Sequence, residues 1–285
     1  MNSPMPVTAT EPSTPSRHWS ARLNLKFRST GQRTELAHCE HEGPLRIQRL
    51  FHPDQDGKAH CYLLHPPGGV VLGDDLSINV DVDHGAALLT TPSAGRFYDT
   101  AGAPEPQTQR VALRVNNGKL EWLPQETILF DGANAHLHTT IELGVEAQLA
   151  FWEVLVLGRP ASGERFTRGQ AMQTLSIDRS GRPLLRDRVV VPAGGRLQHA
   201  RAGLGDNSTF GTFVVSETLD REVGTEWLRA FNGEDDQGAF TVSARSGLTI
   251  ARYLGEDAQY CRQGFADLWQ RLTTEPAEIP RIWHT

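Results

Sequence analysis

Long apolar runs are missing from this sequence, and no segment is extended and apolar enough to be expected to cross a bilayer. The first eighteen residues, rich in Pro, Ser and Thr, also lack the apolar core of a secretory signal. Basic residues are in the minority, 28 Lys and Arg against 34 Asp and Glu, and form no run, so neither a nucleic-acid nor a membrane partner is expected. Cysteine is scarce. Cys39, Cys61 and Cys261 are far apart, with no CxxC pair for zinc or redox chemistry, and a cytoplasmic location fits them best. Phosphate binding has little support, because Pro66–Asp75 lacks the lysine of GxxxxGK[ST] and runs into a strand. Ser162 lacks the glycine two residues upstream that a nucleophile elbow requires.

What is present is strand after strand. Ala21, Leu23, Leu25 and Phe27 alternate with polar residues, as do Leu76, Ile78, Val80 and Val82. Val111, Leu113 and Val115 precede Asn116-Asn117-Gly118, which predicts a hairpin into Leu120 and Trp122. Further strands are expected over Ala171–Ile177, Leu184–Val191 and Thr209–Glu217. Helical spacing is confined to Glu256–Leu272, where Cys261, Phe265, Leu268, Trp269 and Leu272 form one apolar stripe, and to a shorter segment near Leu219–Phe231. The expected fold is mostly β, a single open scaffold of many short strands with about two α-helices. Residues 1–18 are read as a disordered leader and 19–285 as one domain.

Two carboxylates stand out because their surroundings read as buried. In LAFWEVLVL, Leu149, Phe151, Leu155 and Leu157 share a strand face with Glu153 while the opposite face is also apolar. Glu126 shares the parity of Trp122, Pro124, Ile128 and Phe130. A buried carboxylate requires a partner or a proton. Arginines such as Arg96 or Arg159 are candidate partners. An acid and base pair of a β-scaffold carbohydrate-active enzyme is an alternative use of Glu126 and Glu153, although aromatics at 7% are few for a sugar cleft. Histidines cluster at His38 and His41, at His60 and His65, and at His136-x-His138, which places two imidazoles on one strand face without a recognised structural-site spacing.

Several segments taken in order resemble a known family. Pro67-Gly68-Gly69 with Gly73-Asp74 comes first, followed by Thr90-Thr91-Pro92-x-Ala94-x-Arg96-x-Tyr98 and by Glu121-Trp122-Leu123-Pro124-Gln125-Glu126. Trp152-Glu153 then leads to Leu157-Gly158-Arg159 and Ala161-Ser162-Gly163-Glu164-x-Phe166. Together they resemble the urease accessory protein UreD family, called UreH in some bacteria, over about Leu23–Trp269. Leu72 and Arg96 depart from the usual glycine and lysine. The resemblance implies a helicoid, solenoid-like scaffold and a non-enzymatic maturation factor. Such a factor is expected to bind UreF in a dimeric assembly, to recruit UreG through it, and to dock on apo-urease. It also implies no tightly bound cofactor, only nickel in transit through a water-filled channel. A conduit needs oxygen ligands weak enough singly to release the ion. Glu126 and Glu153 are the expected metal-facing residues, with Asp74, Thr91, Ser93, Arg96, Asp131, Arg159 and Glu164 as polar or charge-balancing companions.

Overall fold

The computed structural model describes residues 19–53, 56–233, 237–273 and 279–284. The leader expected over residues 1–18 lies outside them. The strands before the first helix are β1 (Ser20–Ser29), β2 (Thr34–Glu42), β3 (Arg46–Ile47), β4 (Ala59–Leu64), β5 (Asp75–Thr90), β6 (Gly95–Phe97), β7 (Gln107–Trp122), β8 (Thr127–Leu129), β9 (Asn134–Leu143), β10 (Gln148–Leu157), β11 (Gln170–Arg179) and β12 (Arg182–Pro192). The single-turn α1 (Arg196–His199) is followed by β13 (Thr209–Val215), α2 (Arg221–Phe231), β14 (Ala239–Arg245), β15 (Leu248–Gly255) and α3 (Ala258–Leu272). All the strands join one open, mixed sheet.

The core grows from a row of parallel strands. β1, β5, β7, β9 and β11 lie side by side in parallel register, so that Leu25, Val80, Leu113, Ile141 and Ile177 stack across five strands. Each is nearly or fully buried, and each such side chain contributes roughly 1.5–3 kcal/mol by leaving water. Consecutive passes of the chain stacked in parallel produce the solenoid-like course. The alternation seen in the sequence is the alternation between this inner face and a polar outer one.

Asn116-Asn117-Gly118 does not reverse the chain. β7 runs straight through it for sixteen residues, and β5 bends beside it at His84-Gly85, where both residues have positive φ. A Cβ on Gly118 would meet the Gly85 carbonyl oxygen at 2.3 Å. The Asn-Gly pair therefore makes a shared corner between two parallel strands, because the register with β5 and β9 outweighs the local hairpin preference.

β10 is the strand both cores share. Leu149, Phe151, Leu155 and Leu157 belong to the large inner core, while Ala150, Trp152 and Val154 pack into a second, aromatic core with Phe213, Phe240 and the stripe of α3. Asp220 and Asp257 cap α2 and α3, each accepting two backbone N–H groups. The hairpin β14–β15, turned by Ser246 and Gly247 at positive φ, was not among the strands expected from the sequence.

Candidate functional site

Where the inner face of the parallel row passes Gln109, Thr139 and Gln173, its aliphatic stacking is interrupted. Gln109 and Gln173 occupy the row of Ala21, Leu76 and Leu137, and Thr139 that of Leu23, Ile78, Val111 and Leu175. Polar side chains in such rows need partners. Glu153 supplies one from β10: Thr139 Oγ1 donates to its Oε1 at 2.5 Å and Gln173 Nε2 to its Oε2 at 2.7 Å. Burial pushes the Glu153 carboxyl up to about 7, and these two neutral donors offset that only in part.

Glu153 lines a cavity of about 420 Å³. Its walls are largely apolar, from Leu63, Val70, Ile78, Phe97, Trp122 and Leu155, with Thr91, Gln109 and Gln125 among the polar groups. Its rim is exposed at Pro66, Gly68, Ser93, Gly95 and Arg96. Thr91 Oγ1 is held by the Gln125 amide at 3.0 Å. Beyond Glu153 the polar groups continue. Gln173 packs beside Thr212 and Asp187 with no room for water between them, and Arg252 bridges Thr212 Oγ1 at 3.4 Å and Asp187 at 2.7 Å on the far side. A polar seam thus runs from the cavity floor to the opposite surface.

The other sequence-derived candidates are placed differently. Glu126 is not on a strand, since Pro124 cannot donate to a ladder and residues 123–126 form the link from β7 to β8. Its carboxylate pairs with Arg262 Nε of α3 at 2.7 Å, and it does not line the cavity. The arginine is therefore neither Arg96 nor Arg159. Arg159 pairs with Glu164 at 2.6 Å and lies over the Phe130 ring at 4.5 Å. Asp131 accepts the Thr167 and Arg168 amides at 2.6 and 2.8 Å. Burial would raise the Asp131 carboxyl, but these amides and Arg168 bring it below its ordinary value. Asp74, buried, accepts the amides of Val71 and Trp19 at 3.0 and 3.3 Å. Asp74, Asp131, Arg159 and Glu164 hold loops, and none lines the cavity. Thr91, Ser93 and Arg96 do line it, at its floor side and rim.

The model of the UreD urease accessory protein family matches residues 20–284. The chain belongs to the UreD family. It is 42% identical over the full length of both chains to a urease accessory protein UreD of Saccharophagus degradans, and 38% identical, again over both full lengths, to one of Dechloromonas aromatica. A third relative, from Azoarcus sp., is 40% identical over 94% of each chain.

One charged cluster of this UreD-family chain escaped sequence reading. Glu121 is fully buried and receives Lys119 Nζ at 2.9 Å, Lys58 Nζ at 3.1 Å and the Trp269 indole N–H at 3.1 Å. Burial alone would raise this carboxyl, yet the two ammonium groups outweigh it and hold it below the ordinary range. The only sequence signal was a carboxylate adjoining Trp122 in an otherwise buried strand end. Among the described residues, no group of three or more His, Cys, Asp and Glu converges on one point, and no helix is long and apolar enough to cross a membrane.

Proposed function

We propose that this chain is a cytoplasmic urease maturation factor that carries no catalytic residues. In this reading it binds UreF, and UreG through it, docks on apo-urease, and passes nickel through the interior past Glu153. The observation that carries the reading is a carboxylate without a cationic partner among the described residues, held by two neutral donors and lining a cavity of about 420 Å³. A divalent ion entering at the Ser93 and Arg96 rim meets few ligands, oxygen and amide groups with the His65 imidazole, and no thiolate that would trap it. The seam through Gln173, Thr212 and Asp187 leaves no room for water, so onward passage there requires those side chains to part.

The carbohydrate-enzyme alternative needs two carboxylates facing one substrate. Glu126 is neutralised by Arg262 and lies off the cavity that Glu153 lines, so this geometry supports the conduit instead. The test is Glu153→Leu in a urease maturation assay with UreF, UreG and apo-urease. UreF binding is expected to persist while the nickel content of the matured urease drops. Unchanged nickel content in the presence of the variant would sink the role of Glu153.

A further inference from the structure

On β9 the residues flanking Thr139 point away from the cavity. His136 and His138 lie on the outer, half-exposed face, their ring centroids 6.2 Å apart and nearly perpendicular. An ion bound at 2.0–2.1 Å by an imidazole nitrogen lies about 3.2 Å from that ring's centroid, so one ion joins two rings whose centroids are about 4.5 Å apart in cis octahedral and about 5.2 Å apart in tetrahedral geometry. At 6.2 Å the pair is about 1–2 Å wider than that, a gap that side-chain rotation of the two half-exposed rings closes. Shared strand parity fixes the spacing, and the parallel neighbours hold β9 on both sides.

Two further residues complete the arrangement. Met172 of β11 stands directly across from His136 in the ladder, on the same outer face. Thr174, across from His138, has its Oγ1 2.9 Å from His138 Nδ1. With the hydroxyl accepting from Nδ1–H, the Nε2 lone pair is free to bind an ion, which is the supporting contact that metal-binding histidines typically have. The facing Arg110 is engaged by Asp75, and Arg188 points at Met172 Sδ, 3.8 Å away. Burial, then His138, lowers the pKa of His136, and burial, then Arg110, lowers that of His138.

We propose that His136 and His138, with Met172 alongside, form an external binding site for one borderline divalent transition-metal ion such as Ni²⁺, its remaining positions filled by water. Imidazole suits nickel, zinc and copper alike, and the thioether biases the set against hard ions such as Mg²⁺. The site is independent of the conduit: Thr139 and His138 are neighbours in sequence, but the strand separates the inner carboxylate site from the outer imidazoles.

The test is a calorimetric titration of the full chain with NiCl₂ at pH 7.5, paired with the hyperfine-shifted imidazole N–H resonances of the bound Ni²⁺. One equivalent should disappear in His136→Ala and in His138→Ala, and Glu153→Gln should keep it. Thr174→Val, which leaves both ligands in place, should weaken that equivalent roughly tenfold. All of these positions but Glu153 lie on the outer face, and matching circular dichroism will establish that the variants fold. Undiminished nickel stoichiometry in the His136→Ala/His138→Ala double variant, or a wild-type complex without shifted imidazole resonances, overturns the proposal.

Discussion

The Glu153 carboxylate reaches the Thr139 hydroxyl, 2.5 Å away, from a strand that is not a neighbour of β9 in the sheet. The contact crosses the interior between two strands that pair with different stretches of β7 but not with each other. Because both donors to Glu153 are neutral, the ionised form is held only weakly against the cost of burial.

That imbalance has a definite pH consequence. The Glu153 carboxyl titrates near 4.5 when unfolded and at about 7 when folded, so between these values the native state binds the extra proton. Its contribution therefore falls as pH rises from about 4.5 to about 7, by roughly 3 kcal/mol in all at about 1.4 kcal/mol per pH unit. Urea unfolding at pH 5 and pH 8 should show Glu153→Gln more stable relative to wild type at pH 8 than at pH 5. Parallel pH profiles for the two proteins would contradict the assignment.

Glu121 should be among the least replaceable carboxylates. Glu121→Leu leaves the Lys58 and Lys119 ammonium groups buried or half-buried without this counter-charge, and removes the acceptor of the Trp269 indole. A loss of about 3–5 kcal/mol is expected in urea unfolding. Adding Lys119→Met should recover part of it, since one uncompensated charge is then gone.

At the shared corner, Gly118→Ala puts a Cβ into the Gly85 carbonyl oxygen at a φ of +147°. The expected cost is about 2 kcal/mol or more, seen as a lower urea midpoint with an unchanged m-value. Gly68→Ala, also at positive φ but with open space around its Cβ, should cost less.

Glu126 and Arg262 pin the β7–β8 link to α3. A double-mutant cycle of Glu126→Ala and Arg262→Ala should return a coupling of about 1–3 kcal/mol, between the values for exposed and fully buried pairs. Coupling indistinguishable from zero would mean that the pair is solvent-screened.

Sequence alone determined a good deal of this protein. Residue parity along one strand is set by backbone geometry, so the buried rows of β1, β5 and β7, the two apolar faces around Glu153 and the stripe of α3 were all legible before any fold was known. The family was legible too, because its motifs lie in order along the chain. Partnership across the fold was not. Glu126 and Glu153 looked alike in sequence, yet one meets Arg262 from a helix far along the chain and the other meets Thr139 and Gln173 from across the sheet interior. Asn116-Asn117-Gly118 looked like a reversal until the parallel neighbours imposed a corner. Local chemistry specifies which face a side chain takes, while only the stacking of distant strands decides which groups share that face and whether a carboxylate there finds a cation or a hydroxyl.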